Sequence, residues 1–140
     1  MNTTVQGIIT VTGRVLLSAI FLMSALANKI PNFGGVTEYM RSHHVPAPAF
    51  MLIGAIAFLI IGSASVILGY QARVGATLLL IFLVLATYYF HRFWEIKDAT
   101  SMEAMNQQAH FMKNVGLAGA MLFIIGHGSG PMSLDARKSA

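Results

Sequence analysis

Residues able to exchange protons or hold a polar ligand gather in one short stretch, TYYFHRFWEIK at 87–97, directly after an apolar run. Thr87, His91 and Glu95 repeat every fourth residue, so a helix continuing through the stretch would place them on one stripe. Histidine exchanges protons readily near neutral pH, which makes His91 the candidate proton carrier. The stretch also fits the belt of aromatic and snorkelling cationic residues at a membrane surface, here Tyr88, Tyr89, Arg92, Trp94 and Lys97. We interpret it as a membrane exit that can also form the rim of a binding site.

Three further polar residues, His110, Lys113 and Asn114, lie at the matching end of the fourth apolar segment. His110 and Asn114 are four residues apart and therefore share a helix face. If that segment crosses back through the membrane, all three lie on the same side as His91 and Tyr88. Such a set supplies donors for carbonyl oxygens and a titratable group for protons. It predicts a polar pocket for a quinone or another amphipathic molecule arriving from lipid.

Arg14 is the only charge well inside an apolar segment. A central arginine costs about 2.5 to 3.5 kcal/mol on membrane-insertion scales, so something should compensate it. Two interpretations stay open: the guanidinium snorkels to the N-terminal headgroups, or it faces the bundle and meets a ligand or a partner helix. The helix stripe that carries Arg14 is small or polar except for one phenylalanine, and it comprises Gly7, Ser18, Phe21, Ala25 and Asn28.

Composition indicates which elements position these residues. The chain is 56% hydrophobic and only 10% charged, whereas soluble domains are roughly 25% charged. Apolar segments of roughly 17 to 25 residues cross a bilayer as helices. We therefore predict an all-α fold, a single domain over 1–140 that forms an integral membrane four-helix bundle, with spans at about 7–29, 50–69, 74–93 and 111–128.

The connections support this topology. Pro31 should end the first helix, and the link Tyr70–Arg73 is short enough to make spans two and three antiparallel neighbours. The loop before span two predicts a short interfacial helix, because Val36, Tyr39, Met40 and His43 share one face while Glu38, Arg41 and Ser42 share the other.

Two local patterns predict how the later helices pack and begin. A stripe of small residues should place span two inside the bundle, and it comprises Gly54, Ala55, Gly62, Ser65 and Gly69. Thr100 and Glu103 fit a capping box, with Thr100 as N-cap. A helix starting there could run to about Ile125, so its first turns would project beyond the lipid.

Several classes of function are disfavoured. The chain has no cysteine, so thiol–disulfide chemistry and iron–sulfur ligation within it are excluded. No H-x-x-H or E-x-x-H pattern indicates a metal site, and the histidines lie too near span ends for haem. The net charge of +4 comes from cations scattered singly, which does not suggest nucleic acid. Residues 14–27 also imitate a cleavable signal peptide, but thirteen neutral residues precede the positive charge.

The orientation in the membrane is not decided by counting cations, which are almost equally numerous at the two ends. The positive-inside rule counts Lys and Arg and largely ignores acids. The end with both termini would hold four cations and the opposite end five: Arg14, Arg73, Arg137 and Lys138 against Lys29, Arg41, Arg92, Lys97 and Lys113. We expect a multi-pass protein of the bacterial inner membrane with both termini in the cytoplasm.

The order of several short motifs resembles that of the DoxX-like small membrane proteins. The matching pieces are GRVLLSAIFLMSALANKI, YMRSHHVPAP, LGYQARVGA, ATYYFHRFW, FMKN and GPMSLD. The resemblance implies a four-helix membrane bundle of a kind sometimes associated with quinone-linked oxidation of sulfur compounds or with redox-protective complexes. It points to the positions Arg14, Lys29, Arg73, His91, Trp94, Lys113 and Asn114. Relatives commonly carry an acid inside span two, where this chain has Phe58, Leu59, Ile60 and Ile61.

We therefore expect an accessory or subunit of a membrane quinone-linked redox system, with no covalent cofactor and quinone as the candidate ligand. The expected site residues are Arg14, Tyr88, His91, Trp94, His110, Lys113 and Asn114. Expected partners are membrane lipid together with other membrane subunits or further copies of the chain. The alternative is a non-catalytic structural subunit that packs against a larger membrane complex. Transport of a small solute is less favoured, because a chain this short would need to oligomerise.

Overall fold

The computed structural model describes residues 3–138 and is helical nearly throughout. Helix α1 (Thr3–Met23) continues into a π-helical segment, Ser24–Lys29, and α2 (Phe33–Ser42) follows. Helices α3 (Pro48–Leu68) and α4 (Ala72–Phe90) are joined by a tight turn. A 3-10 turn (Phe93–Glu95) leads to α5 (Met102–His127), and a short α6 (Leu134–Lys138) ends the described chain. No strand occurs among these residues, which confirms the predicted all-α class.

Four helical segments are long and apolar enough to cross a membrane: Thr3–Lys29, Pro48–Leu68, Ala72–Glu95 and Met102–His127. Helices suit such chains because lipid offers no partners for the backbone, so each span must satisfy its own amides and carbonyls. Large apolar side chains such as Leu16, Ile61 and Phe123 remain exposed on the outside, as expected of a surface that faces lipid. The first described turn of α1 and the C-terminal segment lie at the same end of the bundle, where Gly7 packs against Met132.

The long helices pack in the order α1, α3, α4, α5, and the α3–α4 interface is the largest. The turn between α3 and α4 uses two left-handed residues, Gly69 with φ 62° and Gln71 with φ 47°. Ser65 donates its hydroxyl hydrogen to the Tyr70 carbonyl at 2.6 Å. This short closure makes α3 and α4 antiparallel neighbours, as predicted from Tyr70–Arg73.

Helices α3 and α4 touch through glycine backbones. A Cβ on Gly62 would lie 2.9 Å from the Gly75 carbonyl oxygen, and one on Gly75 would lie 2.8 Å from the Gly62 carbonyl oxygen. Close backbone approach replaces the hydrophobic effect as the cohesive force between helices in lipid. The predicted small-residue stripe therefore forms a helix contact at its centre, at Gly62, whereas Gly54 is exposed.

The predicted interfacial helix is present as α2. Met40 is buried and joins Val45 and Leu52 in a small apolar cluster, separate from the main core. Glu38 and Arg41 pair with each other on the exposed face. Helix α2 therefore covers one end of the bundle with its apolar side. This end lies opposite Gly7 and Met132 and is called the loop end below.

Two expected boundaries differ. Helix α4 ends at Phe90, so His91 follows the helix instead of extending its stripe. The chain leaves the α-helical path after Phe90 because Phe93 and Trp94 pack against Phe111 of α5. Their ring centroids lie 5.4 and 5.7 Å from that of Phe111.

The N-cap of α5 is one residue later than predicted. Ser101, and not Thr100, accepts the Ala104 amide at 3.2 Å. Thr100 is engaged elsewhere, because its hydroxyl donates to Asp98 Oδ1 at 2.7 Å. The prediction that Thr100 caps the helix is wrong, although the early start of the helix is confirmed.

Candidate functional site

A cavity of about 580 Å³ lies at the loop end of the bundle, between the ends of α1, α3, α4 and α5 and beneath α2. Its walls are largely apolar and include Met40, Leu52, Phe58, Phe82 and Phe90. Cavities of roughly 300 to 1,000 Å³ with apolar walls and a few polar groups are typical of small-molecule sites. This cavity is therefore the candidate binding site.

Most polar side chains of the cavity come from three parts of the chain. The π-helical end of α1 contributes Ser24, Asn28 and Lys29, His91 follows directly after α4, and α5 contributes Lys113 and Asn114. Tyr39 and Tyr89 also line the cavity. The remaining wall offers mostly side-chain carbon, so the cavity is amphipathic. A molecule with one polar head and an apolar body fits such a distribution.

The position of Lys29 depends on the π-helical end of α1. Ile30, the residue that follows this segment, donates its amide to the Ala25 carbonyl at 3.0 Å, five residues back. The same spacing lets Lys29 Nζ donate to Ser24 Oγ at 2.6 Å. The ammonium also lies 5.3 Å from the centroid of the Phe82 ring, on α4. π-Helical turns often occur at functional sites, and this one brings a cation to the cavity wall.

His91 is held by α5 although it follows α4. Its Nδ1 lies 2.8 Å from Gln107 Oε1, within hydrogen-bonding distance. The His110 ring stacks on His91 with centroids 5.1 Å apart. These contacts fix the ring plane, and the imidazole can receive and pass on a proton.

Asn114 ties the two walls of the cavity together. It is buried, and its Nδ2 donates to Thr87 Oγ1 on α4 at 2.9 Å. Lys113, next to it, makes no hydrogen bond or ion pair with any residue in the described range 3–138. Its ammonium is thus available to a ligand.

The structure brings together three of the seven expected site residues on the cavity wall: His91, Lys113 and Asn114. His110 stands beside them through its stacking on His91 but is exposed. Tyr88 and Trp94 lie outside the cavity and are 61% and 57% exposed. Arg92 lies 5.6 Å from the Tyr88 ring centroid, so these aromatic residues match the interfacial belt.

Arg14 lies at the opposite end of the bundle from the cavity and is only 5% exposed. Its Nη2 donates to the Met132 carbonyl at 2.8 Å and its Nη1 to the Ser129 carbonyl at 3.3 Å. Arg14 faces the bundle together with Gly7, Ser18 and Phe21, as the second interpretation predicts, and the groups that it meets there are backbone carbonyls. The chain's own C-terminal segment compensates the buried guanidinium.

Asp135 docks the same C-terminal segment onto the α3–α4 turn. Its carboxylate accepts the Gln71 and Ala72 amides at 2.9 and 3.2 Å, and its own amide donates to the Gly69 carbonyl at 2.8 Å. A carboxylate at the first turn of α4 stabilises the unpaired amides there. Three of the quoted motifs, GRVLL, LGYQAR and GPMSLD, thus meet at one place for structural reasons.

The residues contributed by α1 were not indicated by spacing. Ser24 and Asn28 read as ordinary small or polar positions, and Lys29 was singled out only by the family resemblance. The sequence feature that could have indicated them is the pair Ser24 and Lys29, just before Pro31. These two residues are five apart, a spacing that suits a π-helical turn. Arg73, the other position named by resemblance, is exposed, with Nη2 3.5 Å from the Gly126 carbonyl.

The described residues were also compared with the donor sets that hold metal ions. No group of three or more histidine, cysteine, aspartate or glutamate residues within 3–138 could hold a metal ion.

Together, the four apolar helices and the amphipathic cavity define a small multi-pass membrane protein. The DoxX family model matches residues 9–92, which is more than half of the chain, so the protein belongs to the DoxX family. The matched range covers α1 to α4 and ends at Arg92. Lys113 and Asn114 on α5 lie beyond it.

The chain is similar to the inner membrane protein YphA of Escherichia coli (strain K12). The two are 30% identical over 125 residues, which cover 89% of this chain and 86% of YphA. No solved structure matches. This likeness and the four apolar helices make the protein a small, multi-pass inner membrane member of its family.

Proposed function

We propose that the cavity binds a quinone or a similar lipid-soluble molecule, and that the protein is a small subunit or accessory of a membrane quinone-linked redox system. The observation that carries the proposal is the cavity itself, apolar over most of its wall with His91, Lys113 and Asn114 at one end. A quinone is likewise divided into apolar and polar parts, because its apolar ring and tail carry two carbonyl oxygens.

The polar residues match what a quinone head requires. Lys113 supplies ammonium donors, and the Asn114 amide is a further polar group beside the head. Reduction of a quinone to a quinol takes up two electrons and two protons, and His91 beside His110 offers a route for protons from the water boundary. Thiolate and iron–sulfur carriers need cysteine, which the chain lacks, so the proposal assigns electron delivery to a partner protein.

Access from lipid is consistent with the wall of the cavity. Phe50, Ile81 and Leu85 line the cavity and are also 76%, 42% and 40% exposed on the outer surface. A hydrophobic molecule dissolved in the bilayer can therefore approach from the side without crossing water.

Binding of a short-chain ubiquinone to purified protein tests the proposal. We expect His91→Ala and Lys113→Ala each to weaken binding about tenfold, since loss of one good polar contact corresponds to about 1.4 kcal/mol. His127→Ala and Lys97→Ala are matched controls outside the cavity and should bind as the natural protein does. Unchanged binding in both cavity variants would remove the site assignment.

One observation favours a second function, that of a non-catalytic structural subunit. The outer face of α5 carries Gly116, Gly119 and Gly126, where an added Cβ would meet nothing within 4 Å. Together with the exposed Phe123 and Met112, they form a flat apolar face against which another helix can pack closely.

Gly119→Leu separates the two functions. If the face of α5 holds a partner helix or a second copy of the chain, the variant should lose a co-purifying chain or the oligomer, as seen by native mass spectrometry, yet still bind quinone. A stoichiometric partner without any quinone in the natural protein would favour the structural function.

We further propose that both described ends of the chain face the cytoplasm. Gly7 and Met132 lie at the same end of the bundle, so one labelling experiment reports on both. Because the chain has no natural cysteine, single cysteines at Thr3 and Arg137 can be probed with an impermeant maleimide. Labelling only after the cells are broken supports the proposed orientation, and labelling of intact spheroplasts contradicts it.

A further inference from the structure

The polar end of the cavity carries two positive charges and no negative one. Lys29 and Lys113 both line it and act on each other as like charges. No aspartate or glutamate is among the lining residues of the described chain. Two ammonium groups at one cavity leave an excess of positive charge.

The partners of Lys29 are neutral. One of its three N–H bonds is used, toward the Ser24 hydroxyl at 2.6 Å, and its other contact is the Phe82 ring. Lys113 makes no hydrogen bond or ion pair within 3–138. Lys29 is half-buried, and a half-buried ammonium is favourable only when its donors and its charge find partners. Lys113 is exposed at the edge of the same cavity, so its donors are also open to a ligand.

Carboxylates elsewhere in the described chain do not reach this pair. Glu38 pairs with Arg41, and Glu95 with Arg92. Asp135 binds the start of α4 at the other end of the bundle. Asp98 accepts from Thr100. Glu103 lies in the exposed first turn of α5, outside the cavity lining.

We infer that the cavity selects an amphiphile with an acidic head group, whose carboxylate or phosphate lies between Lys29 and Lys113 and whose chain lies against Met40, Leu52 and Phe58. Charge-assisted hydrogen bonds are roughly twice as strong as neutral ones. The apolar wall strengthens them further, because it lowers the local dielectric constant. The inference rests on the proposed function to the extent that both use the same cavity, but it names the charge of the head.

An uncharged quinone gains less from such a pair. Its carbonyl oxygens accept from one ammonium each but do not neutralise the two charges. A single-chain carboxylate places its negative charge between both. The same chemistry is offered by a free fatty acid and by the headgroup of an anionic phospholipid, so the test has an arm for each.

Purified protein in a neutral maltoside detergent allows the comparison. The ligands are oleate, oleyl alcohol and a short-chain ubiquinone, measured by calorimetry. We expect oleate to bind at least tenfold more tightly than oleyl alcohol. Lys29→Gln and Lys113→Gln should each remove most of this preference, Lys29→Arg should retain it, and Lys97→Gln, an exposed lysine outside the cavity, should leave it unchanged.

The second arm uses lipid nanodiscs in which bound oleate is displaced by the surrounding lipid. Displacement by phosphatidylglycerol but not by phosphatidylcholine means that a phospholipid headgroup occupies the site, and displacement by neither assigns it to the free acid. Either result supports an acidic head. Equal displacement by both lipids overturns it.

The outcomes separate the two proposals. Equal affinity for oleate and oleyl alcohol, or a preference that survives in the Lys29→Gln, Lys113→Gln double variant, overturns the acidic head even if ubiquinone binds at His91. Binding of oleate without ubiquinone supports the acidic head and overturns the quinone proposal. Binding of none of the three ligands overturns both.

Discussion

The ammonium group of Lys29 lies 5.3 Å from the centroid of the Phe82 ring and donates a 2.6 Å hydrogen bond to Ser24 across a π-helical turn. A regular α-helix would not align residues five apart so closely. The π-helical end of α1 therefore directs a cation toward α4, and one of the two positive charges of the cavity comes from this local geometry.

Lys29→Met should separate stability from ligand binding. Methionine keeps the length and apolar stem of lysine but removes a partly buried charge, whose desolvation is unfavourable. We expect the free energy of unfolding in detergent to stay within about 1 kcal/mol of the natural value or to rise, while binding of an acidic amphiphile is lost. A loss of stability well beyond that range would show that Lys29 is structural.

Arg14→Leu should destabilise the C-terminal segment. The change removes the donors to the buried Ser129 carbonyl and the part-buried Met132 carbonyl. Loss of both partners should cost about 2 to 4 kcal/mol. Limited proteolysis should then cut the chain after Gly128 much faster than in the natural protein. Arg73→Leu, at an exposed arginine near the same end, is the matched control.

An unchanged cleavage rate in Arg14→Leu would contradict the role given to Arg14. Binding of quinone or oleate should persist in this variant, because Arg14 lies at the opposite end from the cavity. If binding is lost while the C-terminal segment still resists proteolysis, Arg14 takes part in ligand binding.

The four membrane helices could be predicted because lipid imposes a simple rule on the chain. Long apolar segments must be helical, and Pro31, Pro48 and Gly69 interrupt them where the structure does. The early start of α5 also followed from local sequence. These features depend on residues near one another in the chain.

The remaining features depend on contacts between distant parts of the chain. Helix α4 ends early because Phe93 and Trp94 pack on Phe111, and no local pattern indicates this. Arg14 meets backbone carbonyls over a hundred residues away, and carbonyls have no signature in the sequence. His91, Lys113 and Asn114 could be grouped from their positions at span ends, but the contribution of α1 required the π-helical turn.

Gly75→Val should weaken the packing of α3 on α4. Any Cβ at Gly75 would lie 2.8 Å from the Gly62 carbonyl oxygen, and overpacking of this kind costs about 1 to 3 kcal/mol. Thermal unfolding in detergent should occur at lower temperature. Gly116→Ala is the control, because nothing lies within 4 Å of its added Cβ and alanine favours a helix by about 1 kcal/mol. Equal effects at both positions would refute the close backbone contact.

Asp98 gives the loop before α5 a pH dependence. The Thr100 hydroxyl and the Thr100 amide both donate to its carboxylate. These bonds, the hydroxyl bond most of all, hold the pKa of Asp98 below its ordinary value. Its contribution to stability is therefore present above the ordinary carboxylate pKa and is lost as the pH falls through the lowered value.

Thr100→Val removes the hydroxyl donor and should raise the pKa of Asp98 toward the ordinary value. Thr100→Ser retains the donor and should leave the pKa lowered. Carboxyl-carbon NMR of aspartate-labelled protein measures this directly, since the chain has only two aspartates, Asp98 and Asp135. A titration of Asp98 that is the same in Thr100→Val as in the natural protein would show that the hydroxyl bond does not form.

Photolabelling tests the central claim, that the cavity at the loop end is where a lipid-soluble ligand binds. A photoreactive quinone is activated in membranes containing the protein, and the labelled residues are identified by mass spectrometry. We predict labels on cavity residues such as Met40, Met51 and Phe82, reduced by excess unlabelled quinone and by His91→Ala. Labels confined to the outward-facing surface, at residues such as Leu16 and Phe123, and insensitive to competition would contradict the claim.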